Sequence, residues 1–193
     1  MQGLWYFAYG ANMSRAVLAR RGVTPLASEP GLLRDHRHRF SHEGLLPIEP
    51  AFANLEPCEG AEAHGVLHRL SDEAMSRLDR IEGAEYLHVD VSVEGARTGT
   101  VLARAYLNPH PVQGKIPSRR YLACLCAGAR EHGLPSAYID ALAAHPSRHW
   151  PLVSDVANLL AGTAERVRAL GLRPERVRLW RRGRAGRDDA RNE

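Results

Sequence analysis

Apolar residues dominate the start of the chain. Leu4-Trp5-Tyr6-Phe7-Ala8-Tyr9 runs uncharged into Gly10-Ala11-Asn12-Met13, and a helix start follows at Ser14. This pattern predicts a buried strand over 4–9 that ends in a tight loop of small residues. Ser14 then caps a short helix to about Arg21, which Gly22 closes. Segments 32–41, 50–56 and 63–70 alternate loosely between apolar and polar, as half-buried strands do. Ser71 predicts a helix start, with Asp72 and Glu73 favourably placed in the first turn. Ala74, Met75, Leu78 and Ile81 share one face of that helix, which ends near Glu82-Gly83. Two more strands are expected at about 86–94 and 100–107. A loop containing Pro109, Pro111 and Pro117 leads to Ser118, the cap of a helix over 119–132 that carries Tyr121, Leu122, Leu125 and Ala129. Gly133 stops it. A short helix runs from Ser136 to about Ala144, and a last one over 155–170, between Ser154 and Gly171. Strands fill the first two thirds and helices the last third, without regular alternation. That predicts an α+β fold rather than a doubly wound sheet.

Composition narrows the class. A chain of 193 residues, 44% hydrophobic and 25% charged, fits one globular domain with a real core. No apolar run is long enough to span a bilayer, and no signal-type segment opens the chain, so a cytoplasmic location and no membrane partner are expected. Cys58, Cys124 and Cys126 lack Cys-x-x-Cys spacing. On a helix Cys124 and Cys126 would point about 200° apart, so reduced, packed thiols are expected. The charge is uneven. Residues 173–193 hold eight Arg against four Asp or Glu, whereas the rest of the chain balances at 18 basic and 18 acidic residues. We read 1–172 as one domain and 173–193 as an Arg-rich, flexible tail. With no aromatic in the tail beyond Trp180 and no nucleic-acid motif in the body, no nucleic-acid partner is expected.

Two stretches invite chemistry. The loop at Tyr9-Gly10-Ala11-Asn12 presents backbone N–H groups able to hold an anion or a carbonyl oxygen, and Gly10 permits close approach of a ligand. At the other, Asp79 and Glu82 share a helix face, with Glu82 at the negative end of the helix dipole. The dipole and partial burial push such a carboxyl toward neutrality, which suits a general acid/base; the competing reading is an ordinary exposed helix end. Other chemistries find less support. There is no Gly-x-Ser-x-Gly elbow and no phosphate-loop motif; Lys115 is the single lysine. His36 and His38 would share a strand face near His42, but no third ligand stands at metal-site spacing, so no metal site is expected. His64 and His68 read equally well as strand surface residues.

The motifs in order resemble the gamma-glutamylcyclotransferase (AIG2-like) family. Tyr6 to Met13 resembles its N-terminal strand and substrate loop. Leu78-Asp79-x-x-Glu82-Gly83 resembles the helix end that carries its catalytic glutamate. Arg104-Ala105-Tyr106-Leu107, Pro117-Ser118-x-x-Tyr121 and Gly128-Ala129-Arg130-Glu131-His132-Gly133-Leu134-Pro135-x-x-Tyr138 resemble the later strand and helical segment. The matches span roughly residues 4 to 145. In two places the chain departs from the family: its usual serine is Ala11 here, and the segment from Gly83 to Tyr86 is shorter than in the vertebrate-type enzyme.

The resemblance implies a small mixed β-barrel with flanking helices, metal-free, without a cofactor and often dimeric. It implies that the α-amine of a gamma-glutamyl amino acid or amine attacks its own γ-carbonyl, releasing 5-oxoproline and the free amine. Glu82 would be the general acid/base. The loop Tyr9, Gly10, Ala11 and Asn12 would hold the glutamyl group, and Tyr106 and Tyr121 would line the pocket and donate hydrogen bonds. Asp79 would be structural, holding the helix end. Two alternatives stand beside this: an enzyme that removes a gamma-glutamyl group from one particular biosynthetic or catabolic amine, and a non-catalytic small-molecule binding module of the same fold.

Overall fold

The computed structural model describes residues 3–46, 49–82 and 86–149. The expected helix over 155–170, Trp150 and the Arg-rich tail lie outside the described residues, as do Gly83 to Glu85 beside Glu82. Five strands close a barrel in the order β1 (Leu4–Ala8), β3 (Glu49–Leu70), β2 (Ala27–Leu46), β4 (Leu87–Gly95) and β5 (Gly99–Leu107). Every pairing is antiparallel except β1 with β5, which run parallel through Tyr6 and Arg104. With helices α1 (Arg15–Arg20), α2 (Asp72–Glu82), α3 (Arg119–Glu131) and α4 (Ser136–Ala144), the architecture is the expected α+β barrel with flanking helices. No helix among the described residues is long and apolar enough to cross a membrane.

Periodicity explains most elements. Tyr6, Phe7 and Ala8 are buried on both strand faces, as an uninterrupted apolar run requires. α2 turns Met75 and Leu78 into the core, and Ser71 Oγ accepts the Ala74 N–H at 3.2 Å as its cap. α3 buries Tyr121, Leu122, Leu125 and Ala129; Ser118 Oγ accepts the Tyr121 N–H at 3.0 Å. Ser14 stands at the start of α1, but its side chain makes no capping bond. A short 3-10 turn over Ala11–Met13 enters the helix instead.

The middle of the barrel departs from expectation. The segment 32–41 is part of a twenty-residue strand, and 50–56 and 63–70 are one continuous strand of 22 residues. The polar stretch between them is absorbed as an irregularity in the β2–β3 ribbon, where Arg34 faces Glu62 but His36 already faces Pro57. Asp35 adopts a left-handed backbone (φ 57°), and its carboxylate accepts the Gly60 N–H at 2.9 Å. Charged pairs across the ribbon, Arg34–Glu62 and Arg37–Glu56, support it where apolar alternation lapses.

Candidate functional site

The loop after β1 and the C-terminal end of α2 meet. Asn12 Nδ2 donates to Tyr6 Oη (2.8 Å) and to Glu82 Oε1 (2.9 Å). Arg21, at the end of α1, donates to Asn12 Oδ1 at 2.9 Å and forms an ion pair with the same Glu82 oxygen. Asn12 is buried, and the Glu82 side chain keeps 15% of its exposure, so the carboxylate sits at the edge of the core with one polar side open. The N–H groups of Gly10, Ala11 and Asn12 have no acceptor among the described residues.

Beneath the loop lies His68. It is fully buried, contrary to the surface reading, because β1 pairs beside it and His132, just past the end of α3, meets its ring edge-on at 5.5 Å. His64 is half-buried against Tyr138 rather than a surface residue. The Asn12 carbonyl can only accept, so His68 Nε2–H donates to it at 3.1 Å, and Nδ1 then accepts from Ser28 Oγ at 2.8 Å. Burial, with His132 adding, pulls the His68 pKa down to about 3, so the ring is neutral.

The tyrosines divide into scaffold and lining. Tyr9 is buried and its hydroxyl donates to the Tyr106 carbonyl, so its side chain fastens β1 to β5. Tyr106 donates to Asp79 Oδ1 at 2.7 Å, and Asp79 also pairs with Arg104 at 3.4 Å. Asp79 therefore fixes α2 to β5. The Tyr121 oxygen accepts the Ala53 N–H at 3.1 Å and retains its own proton to donate. A Cβ on Gly10 would stand 3.0 Å from that hydroxyl, so the missing side chain at Gly10 admits Tyr121 to the loop. Burial is the main force raising the Tyr6, Tyr106 and Tyr121 pKa values well above the ordinary one. The Glu82 charge adds to the shift in each, and Asp79 does so at Tyr106. All three remain neutral hydroxyls at neutral pH.

Thus Asn12 and Glu82 are brought into direct contact, Gly10 and Tyr121 adjoin each other, and Tyr106 lies next to Tyr6 with ring centroids 5.3 Å apart. Ala11 is partly buried against the core. Three participants went unread in the sequence. Arg21 looked like an ordinary helix end, and Tyr6 like one more strand aromatic. Tyr86 packs between His42 (4.6 Å) and Tyr106 (6.5 Å). For Arg21 the available signal is its place one helix away from Asn12, within reach of a long side chain. Among the described residues no three His, Cys, Asp or Glu side chains converge as metal ligands would. Cys58, Cys124 and Cys126 are free thiols.

Comparison with known proteins finds relatives of the chain and of its fold. The profile of the AIG2-like family matches residues 62–142. A Mus musculus protein named gamma-glutamylcyclotransferase is 27% identical over 157 residues, covering 78% of this chain and 83% of its own. An Aspergillus fumigatus protein named gamma-glutamyl cyclotransferase gliK is 26% identical over 178 residues, covering 77% of this chain and 64% of its own length. A solved structure named gamma-glutamyl cyclotransferase has the same fold at a TM-score of 0.67 and 23% identity, over 77% of this chain and 91% of that one. Over residues 62–142 the chain is thus similar to the AIG2-like family, along most of its length it is similar to proteins named gamma-glutamylcyclotransferase, and its barrel has their fold.

Proposed function

We propose that this chain cyclises a gamma-glutamyl amino acid or gamma-glutamyl amine, releasing 5-oxoproline and the free amine. The observation that carries the reading is the 2.9 Å contact between Asn12 of the loop and Glu82 at the end of α2. It sets an acid/base within one hydrogen bond of a loop that offers backbone donors. The names of the relatives point the same way.

The reaction needs no protein nucleophile, because the attacking amine is tethered to the carbonyl it attacks. The protein's task is to fold the glutamyl chain so that the two ends meet. The N–H groups of Gly10, Ala11 and Asn12 hold the glutamyl carboxylate or the γ-carbonyl oxygen. Glu82 takes a proton from the α-ammonium. The freed lone pair forms the new C–N bond to the γ-carbon; Glu82 returns its proton to the departing nitrogen as the old amide C–N bond breaks, and the second proton shed by the ring nitrogen passes by the same carboxylate to the freed amine, which leaves as its ammonium form. Arg21 holds one Glu82 oxygen, leaving the other for the substrate. Tyr121 donates its remaining proton to the glutamyl group, while Tyr106 shapes the wall and is itself held by Asp79.

The test is Glu82→Gln. Loss of 5-oxoproline release with an unchanged melting temperature supports the assignment; retained turnover removes Glu82 from it. Ala11 favours a second reading, an enzyme devoted to one amine, since a hydroxyl is absent from the loop. Preference for gamma-glutamyl-alanine across a panel of gamma-glutamyl amides would count against that reading.

A further inference from the structure

β1, β3 and β2 lie side by side, and their register sets Tyr6 opposite His68 and His68 opposite Ser28. Residues directly opposite one another share a sheet face, so the three side chains form one row across three strands. The row runs beneath the loop after β1. Tyr6 is buried, and its ring stacks on that of His68 with centroids 6.3 Å apart and planes at 24°.

Each member of the row is tied to Asn12, directly or through its neighbour. Tyr6 Oη accepts from Asn12 Nδ2 at 2.8 Å. His68 Nε2–H donates to the Asn12 carbonyl at 3.1 Å, and the Ser28 hydroxyl donates to His68 Nδ1 at 2.8 Å. With both nitrogens engaged, the tautomer and the plane of the imidazole are fixed. Arg21 holds Asn12 Oδ1 at 2.9 Å, and the remaining Asn12 amide proton goes to Glu82 Oε1. Packing alone does not call for this arrangement. A strand position without exposed surface is ordinarily filled by an apolar side chain, and a buried imidazole is tolerated when both nitrogens are satisfied. The hydrogen bonds of His68 reach the proposed reaction centre at Asn12 alone, so its influence on Glu82 passes through that residue.

We propose that His68 is a positioning residue for the ring-closing reaction: held by Ser28, it fixes the Asn12 backbone so that Asn12 Nδ2 meets Glu82 in the geometry proton transfer needs. The proposal rests on the reaction put forward above. Glu82 moves protons while bonds are changing, so a misaimed Asn12 lowers kcat more than it raises KM.

Steady-state kinetics of the full chain with gamma-glutamyl-alanine, beside melting temperatures, test it. A glutamine amide extends to the place of Nε2, and an asparagine amide only to that of Nδ1. His68→Gln therefore keeps a donor for the Asn12 carbonyl, whereas His68→Asn keeps only the Ser28 contact. His68→Asn is expected to lower kcat about tenfold with KM within about twofold, and His68→Gln to restore most of that loss. In an Asn12→Ala background, His68→Asn is expected to lower kcat by less than about twofold, since the residue it acts through is gone. A part in folding alone would lower both histidine variants alike, in step with their melting temperatures, and would add in full to Asn12→Ala; either result overturns the proposal. Should His68→Asn not fold, Ser28→Ala decides. It leaves the imidazole in place but frees its plane, so kcat should fall about threefold at an unchanged melting temperature, and an unchanged kcat overturns the proposal. Release of 5-oxoproline that Glu82→Gln abolishes and the His68 series leaves untouched overturns this proposal alone. No release by the parent chain removes the proposed reaction and this proposal with it.

Discussion

Asn12 Nδ2 stands 2.9 Å from Glu82 Oε1, a bond between residues 70 positions apart. Through it the loop after β1 and the last residue of α2 act as one unit. Asn12→Ala should cut kcat/KM for 5-oxoproline release by about tenfold or more, the range for a lost hydrogen bond to a charged group. Asn12→Asp should cost more, because it sets a like charge against Glu82. Steady-state kinetics on a gamma-glutamyl amino acid decide; an unchanged Asn12→Ala would remove the contact from the mechanism.

The glycines beside the loop separate stability from activity. A Cβ on Gly128 would stand 2.8 Å from the Ser14 backbone nitrogen, an atom that cannot swing aside. Gly128→Ala should destabilise by about 1–3 kcal/mol in chemical denaturation, as overpacking of a tight contact does. A Cβ on Gly10 meets the end of the Tyr121 side chain at 3.0 Å and Ala53 Cβ at an ordinary 3.6 Å. Gly10→Ala should therefore change stability less and turnover more, by displacing that hydroxyl. The reverse ranking would contradict the packing described.

His68 makes the fold acid-sensitive. Its pKa in the fold is about 3, against an ordinary 6.5. The unfolded chain therefore takes up a proton below pH 6.5 that the folded chain refuses until about pH 3. The stability contributed by this neutral ring is complete above pH 6.5 and is lost progressively as the pH falls toward 3. At pH 5 the loss from this residue is about 2 kcal/mol. Denaturation at pH 8 and pH 5, on the parent chain and on His68→Gln, should show a smaller difference in the variant.

Asp79 and Tyr106 give an ordered pair of effects on stability. Asp79→Ala leaves the Tyr106 hydroxyl without its acceptor and Arg104 without its partner, and should cost about 1–3 kcal/mol. Tyr106→Phe leaves Asp79 still paired with Arg104 and should cost less. Equal melting temperatures for the two variants would show that the Asp79 contacts do not hold α2 to β5.

Elements with strong periodicity were legible in the sequence. The apolar run of β1 and the stripes of α2 and α3 appear where expected, because burial alone decides those positions. The joined β2 and β3 strands were not legible. Pro57-Cys58-Glu59-Gly60 reads locally as a break, and only the facing Asp35 carboxylate, far away in the chain, turns it into part of a ribbon. The same limit applies at the site. Gly10, Asn12 and Glu82 stood out through motif resemblance, whereas Arg21 and His68 did not. Arginine at a helix end and histidine in an alternating strand usually face water. Their partners here, Glu82 and the Asn12 carbonyl, come from the folded arrangement.

β1 and β5 join through one backbone pairing, Tyr6 with Arg104, where the other strands share longer ladders. Side chains complete that join: Tyr9 onto the Tyr106 carbonyl, and Asp79 onto Tyr106 and Arg104. The thinnest seam of the barrel is thus also a wall of the proposed reaction centre. Local opening there would separate Tyr6 from Tyr106 and slacken the loop without unfolding the rest. The fidelity of the cradle is then governed by the breathing of a single strand edge, which amide exchange at Tyr6 and Arg104 would report.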